Sequence, residues 1–296
     1  IVHFKNAQGE EIMDIGVFQG DNRHGNAVEI AQHAESLGFE SYWAPDHTIM
    51  PAEYSVPYPG GTEESPEPDY LWQMPDPLVV LSTVAGATEK IKLGTGVLLV
   101  PERNAILTAK QIATLDQSSG GRFLFGIGAG WNPEECTILG GDFEHRWTHV
   151  KENVKVMKAL WTEHAPEFHG KYNDFPPIRC YPQPTQDPYP PVLLGAINNP
   201  RSLKRVAEWG DGWLPLVQSP EEFKEGVEQI KGFCSDINRD PSELDFTVFE
   251  ILNQWKSKDA IKQMSAAGAN RVVLWLNGVG TDELKSELDE LAGIAL

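Results

Sequence analysis

The feature that most constrains this chain is a repeat. From residue 12 onward, short apolar runs alternate with segments of helical spacing. The runs at 12–18, Glu40–Ala44, Ile91–Val97, Arg122–Ile127, Val192–Ala196, Gly212–Leu216, Leu244–Ile251 and Arg271–Leu276 read as strands. The segments Asn26–Leu37, Asp76–Thr88, Asn104–Gln117, Thr148–Trp161, Pro200–Trp209, Pro220–Phe233, Lys258–Ala267 and Thr281–Leu291 read as helices. In the first of these, Ala27, Ile30, Ala31, Ala34 and Leu37 share one face, and Gly38 supplies the stop. Many of the strands are apolar throughout rather than alternating, as expected when both faces are buried. Eight even repeats predict a closed (β/α)8 barrel rather than an open doubly wound sheet. The GIGAG run at 126–130 is a weak dinucleotide signal, and it follows the fourth strand rather than the first.

Two stretches interrupt the rhythm. Residues 46–74, rich in Pro, Gly and acidic residues, form an insertion after the second strand. Residues 163–190, rich in Pro and aromatic residues, form another between the fourth helix and fifth strand, with room for a hairpin. The organisation expected is an extension over residues 1–12 and a single barrel domain over 13–296. That length is ordinary for such a barrel.

Composition removes several function classes. Lys and Arg total 24 against 43 Asp and Glu, a net charge of −19, so nucleic acid and anionic membranes are repelled. No run approaches the ~18 apolar residues of a membrane span, and no basic-then-apolar start marks a signal peptide. Cys136, Cys180 and Cys234 are far apart, which gives neither a disulfide framework nor a zinc site; a reducing cytoplasm is expected. No HExxH, Cys/His cluster or serine elbow appears, so neither a metal nor acyl transfer is expected.

Barrels of this kind carry their sites at the carboxyl ends of the strands. That rule selects Pro45-Asp46-His47, Val97 to Asn104, Gly128 to Glu135, Ala196 to Pro200, Asn253-Gln254 and Asn277-Gly278. Asp46 and His47 are the sharpest titratable pair, because histidine handles protons near neutrality and a carboxylate can fix its tautomer. An N-capping Asp beside a surface His is the plainer alternative. Leu93 to Val97 places glycines inside an apolar strand, where a ring or another backbone approaches closely, or where the core is crowded. Gly195 to Asn199 precedes Pro200 at a helix start, which serves both as a cap and as a phosphate cradle of backbone N–H groups. Trp43, Trp131, Tyr54, Tyr58, Tyr70 and Trp72 can line a planar ligand or pin the loops to the barrel.

These segments together resemble the bacterial luciferase-like oxidoreductases, and most closely their branch dependent on the deazaflavin coenzyme F-420. The similar runs are MDIGVF at 13–18, AESLGFESYWAPDH at 34–47, the long stretch 76–135, residues 169–196 and RSLKRVAEWGDGWLP at 201–215. The resemblance implies a barrel with insertions, and hydride transfer between F-420 and a small organic substrate. It implies Asp46 and His47 beside the ring, with His47 as proton donor or acceptor. It implies a cis peptide at Gly96-Val97 behind the ring, and a cofactor phosphate held by Gly195, Ala196, Ile197 and Asn198. Sugar-phosphate members carry a Glu directly after the Gly-rich turn; here Trp131 stands there, as a cofactor-binding candidate, with Glu134 the candidate catalytic acid just beyond and Glu135 next to it. FMN in a monooxygenase fed by a separate reductase is the alternative cofactor, and a non-catalytic flavin-binding protein the second alternative. A homodimer is also implied.

Overall fold

Each strand of the repeat pairs in parallel with its neighbours, and the last pairing closes the ring. The computed structural model describes residues 13–59, 67–250 and 253–296. The proposed extension 1–12, part of the 46–74 insertion and Ile251, at the end of the seventh strand, lie outside the described residues. The strands are β1 (Asp14–Gln19), β2 (Ser41–Ala44), β3 (Lys92–Thr95), β4 (Leu98–Leu99), β5 (Phe123–Gly128), β6 (Phe168–His169), β7 (Asp174–Phe175), β8 (Val192–Leu194), β9 (Gly212–Trp213), β10 (Asp245–Phe249) and β11 (Arg271–Leu276). The helices are α1 (Ala27–Leu37), α2 (Pro77–Ala87), α3 (Ala105–Ser119), α4 (Pro133–Ile138), α5 (Arg146–Thr162), α6 (Pro200–Trp209), α7 (Pro220–Asp236), α8 (Lys258–Ala266) and α9 (Thr281–Ala295).

The sheet runs β3-β2-β1-β11-β10-β9-β8-β5-β4, and a β3–β5 pairing completes the circle. β3 and β4 both lie against β5 and occupy one position, so eight parallel strands make a closed barrel inside a ring of helices.

Caps explain where several helices begin. Asp76 accepts from Leu78 N and Val79 N, Asn104 from Leu107 N, Asn199 from Ser202 N and Ser219 from Glu222 N. Pro follows directly at α2, α6 and α7, where its missing N–H has no acceptor to lose.

The apolar faces of the helices bury Ile30, Leu81, Ile112, Val154, Val206, Val227 and Leu288 against the outside of the barrel. Full burial of such a side chain is worth roughly 1.5–3 kcal/mol. Inside the barrel, Phe18, Trp43, Leu124, Leu193, Leu214, Phe249 and Val273 form a second cluster, with Phe18 and Trp43 each edge-on to Phe249 at 5.3 Å. Trp43 is thus part of the barrel filling rather than a ligand wall. At the amino-terminal end, Arg271 plugs the barrel by pairing with Glu40 at 2.8 and 2.9 Å and with Asp245 at 2.9 Å.

Four local differences separate sequence from structure. The expected strand Ile91–Val97 breaks after Thr95, and the Gly96–Val97 peptide is cis before β4 resumes the ladder. The expected strand Gly212–Leu216 pairs regularly only at Gly212–Trp213, with an isolated bridge from Leu216 to Phe249, because Pro215 has no N–H to donate. The short helix α4 was not read from the sequence, and α5 begins two residues before the expected Thr148. The 163–190 excursion does hold a hairpin, Phe168 opposite Phe175 and His169 opposite Asp174.

Candidate active site

The carboxyl end of β2 delivers Pro45-Asp46-His47 to the barrel mouth, and α4 supplies what meets it. Asn132 caps α4, its buried side-chain oxygen accepting from Glu134 N and Glu135 N at 3.0 Å each. Pro133 follows at the first helical position. This cap fixes two successive carboxylates in opposite duties. Glu135 is fully buried, and its Oε2 lies 2.7 Å from Nδ1 of His47. Glu134 instead accepts from Ser55 N at 3.0 Å and ties the insertion to α4. The contact with Ser55, and then its own backbone N–H, lower its carboxyl from the ordinary value.

On its other side, His47 accepts the indole N–H of Trp131, Nε1 to Nε2 at 3.2 Å. An indole only donates, so this contact assigns the lone pair to Nε2 and the proton to Nδ1, facing Glu135. Trp131 is also edge-on to Tyr54 and Tyr58, each at 5.6 Å. The insertion aromatics therefore pack on the same indole that covers His47.

Asp46 has a different environment. Its carboxylate is buried and bonded to Arg103 at 2.8 and 3.3 Å and to Leu99 N at 2.9 Å. Burial pushes this carboxyl upward, and Arg103 and the amide oppose that. Arg103 spans to Asp76 as well, at 2.9 Å. The pair fastens the end of β2 to the segment after β4 and to the start of α2.

Two acids at this mouth lie in segments the sequence selects, but without a role assigned to them. One is Glu135, which a choice between adjacent acids could not settle without the cap geometry. The other is Glu102, on the turn after β4. It is 6 % exposed, and neither side-chain oxygen has a hydrogen-bond partner among the described residues. Burial first, then Glu135 and Asp46, pushes its carboxyl up to about 9, against the pull of Arg103. A lone buried acid in a turn leaves no periodic signal in a sequence.

The Gly195–Asn198 segment follows β8 at the same end. Gly195 N donates to Ile127 O at 2.8 Å, and Ala196 O accepts from Trp213 Nε1 at 2.9 Å. Asn198 donates its side-chain amide to Glu222 O at 3.0 Å. The backbone N–H groups of Ile197 and Asn198 have no acceptor among the described residues, and Ile197 is 72 % exposed. Val97 joins this segment to the rest. A Cβ at Gly195 would fall 2.9 Å from Val97 Cγ1, and one at Gly128 2.6 Å from Val97 Cγ2. Both glycines thus make room for that side chain.

The far rim is a cleft of about 380 Å³ at the carboxyl ends of β1 and β11, lined by Asp21, Arg23, Tyr70, Trp275 and Asn277. Asn277 donates to Asn253 at 2.8 Å, which joins the segments after β10 and β11. Among the described residues, no group of three His, Cys, Asp or Glu is placed to hold a metal ion. No described helix is long and apolar enough to cross a membrane.

The family model for luciferase-like monooxygenases matches residues 5–269. The chain belongs to that family. An uncharacterized Mycobacterium tuberculosis protein is 36 % identical over 210 residues, covering 71 % of this chain and 74 % of its own. The F420-dependent glucose-6-phosphate dehydrogenase of Amycolatopsis mediterranei is 28 % identical over 225 residues, 72 % of this chain and 62 % of its own. Among solved structures, an F420-dependent secondary alcohol dehydrogenase superposes with a TM-score of 0.74 at 19 % identity, over 96 % of this chain and 98 % of that one. The oxygenating constituent of 3,6-diketocamphane monooxygenase from Pseudomonas putida, in complex with FMN, superposes with a TM-score of 0.72 at 15 % identity, over 96 % of each chain. The two superpositions establish a shared fold. The family is one of luciferase-like monooxygenases, and the named relative reported above is an F420-dependent dehydrogenase, so the family is one of redox enzymes.

Proposed function

We propose that the chain is an oxidoreductase that transfers hydride between coenzyme F-420 and a small organic substrate, with the cofactor in the carboxyl-end mouth. One observation carries the reading. A single mouth combines a histidine whose Nδ1 is held by Glu135 with two uncommitted amides, Ile197 and Asn198, just ahead of the α6 cap. Free amides at a helix start favour an anion, which fits the phosphate of a flavin-type cofactor without any Lys. Among the relatives, the glucose-6-phosphate dehydrogenase bears an F420-dependent name, and this supports the deazaflavin over FMN.

When bound, the deazaflavin supplies the ring carbon that accepts or gives hydride. The protein supplies the rest. His47 takes or gives the substrate proton at Nε2 once Trp131 yields that position. Glu135 holds the Nδ1 proton and stabilises the imidazolium. Asp46, locked by Arg103, fixes the strand end that carries His47. Trp131, Tyr54 and Tyr58 exclude water above it. Ile197 and Asn198 hold the phosphate, with Gly195, Ala196, Gly96 and Val97 shaping the floor. Glu134 keeps the insertion in place.

Parallel titrations with F-420 and FMN, followed by absorbance and fluorescence, test the reading. Tight F-420 binding with weak FMN binding is expected. The reverse would assign the chain to the FMN monooxygenases, which need reduced flavin from a separate reductase and use O₂. Binding without any turnover of the bound cofactor would make it a carrier.

A further inference from the structure

Glu102 has no counterpart in the roles assigned above. It sits between three ionisable partners that already have commitments. Arg103, its neighbour in sequence, is shared by Asp46 and Asp76. Glu135 bonds His47 and accepts from Ile49 N at 3.4 Å. The Cys136 thiol, also buried, is pushed up to about 11 by burial and then by Glu102. From the loop after β5, Gly130 faces the acid directly: a Cβ there would lie 3.0 Å from Glu102 Oε1. No donor and no free cation reaches either oxygen among the described residues.

An ionised carboxylate in that setting carries the full cost of an unpaired buried charge, beside two carboxylates of the same sign. The neutral acid carries only the smaller cost of an unpaired hydroxyl. We propose that Glu102 is a positioning residue kept uncharged beside Glu135, so that His47 faces one negative charge rather than two. Its ionisation adds a second negative charge behind His47, next to the carboxylate that holds Nδ1, so the acid acts through Glu135. The charged and titratable groups around it are Asp46 after β2, Arg103 after β4, and Glu135 and Cys136 on α4.

The inference concerns the free protein, although its value for catalysis rests on the proton role given to His47. Infrared spectra of cofactor-free protein, wild type minus Glu102→Gln, test it between pH 6 and 10. The expected difference is the C=O stretch of a protonated carboxylic acid, present at pH 7 and lost around pH 9. The His47 ring nitrogens, followed by NMR, should shift in the same step in wild type and show no such step in the variant. Glu102→Met serves the same comparison if the amide variant folds poorly. Absence of the acid band at pH 7 overturns the proposal. A high-pH shift of His47 that survives both substitutions also overturns it. Failure of the protein to bind F-420 or FMN would leave these spectra unchanged, so the two ideas fail separately.

Discussion

The His47 ring is held from both sides at once: Glu135 Oε2 lies 2.7 Å from Nδ1, and the Trp131 indole donates to Nε2 at 3.2 Å. Only one tautomer satisfies both neighbours, with the proton on Nδ1 and the Nε2 lone pair taken by the indole N–H.

Substituting His47 by Ala should lower turnover by roughly 10²–10⁴-fold, the usual contribution of a positioned acid or base. Cofactor affinity should stay within about one order of magnitude. Glu135→Gln should lower kcat with little change in KM, because the amide can keep a hydrogen bond but not stabilise an imidazolium. Steady-state kinetics on both variants check this, and unchanged turnover in either removes its role.

The Asp46–Arg103 pair should be costly to break from one side. Arg103→Met leaves a buried carboxylate without its cation and should destabilise by about 3–5 kcal/mol. Arg103→Met combined with Asp46→Asn should recover part of the loss. Denaturant titration of the two single variants and the double variant measures it. Equal losses in the Arg103 single and the double variant would contradict a charge-pair account.

Glu102 gives a pH dependence of stability with a definite sign. Its folded value is raised, from about 4.5 to about 9. Its contribution is therefore fully present below about 4.5 and lost as pH rises through about 9. Relative to wild type, Glu102→Gln should gain stability between pH 4.5 and 7 by roughly 3 kcal/mol, at ~1.36 kcal/mol per unit. Unfolding at the two pH values supplies the difference. A gap that stays constant with pH would show that the acid is not perturbed in the fold.

Asn132 links stability to the site. Its side chain caps α4 through two amides, so Asn132→Ala should cost about 1–2 kcal/mol. The same change loosens Glu135, and kcat should fall more than stability alone explains. Asn132→Asp, which keeps the acceptor, should restore both. Kinetics beside thermal denaturation separates the two effects.

The sequence made the barrel legible because strand and helix periods differ and repeat eight times. It was less informative where an element depends on a single local bond. The third strand reads as continuous from Ile91 to Val97, yet the Gly96–Val97 peptide splits it into β3 and β4. The cap and Pro of α4 are visible in Asn132-Pro133, but six residues are too few for an apolar stripe. At the site, the Asp46-His47 pair stood out by chemistry and by its place after a strand. The choice between Glu134 and Glu135 depends on which side of α4 faces the barrel, and a helix this short does not encode that. Glu102 and Arg103 lie in the segment Val97 to Asn104, but what marks them is the burial of the one and the ion pairs of the other, neither of which a sequence shows.

The most direct test of the account is the position of the cofactor. A crystal structure of the protein with F-420 bound should place its ring at the mouth within reach of His47 Nε2 and its phosphate on the Ile197 and Asn198 amides. A cofactor bound elsewhere, or a phosphate that avoids those two amides, would contradict it.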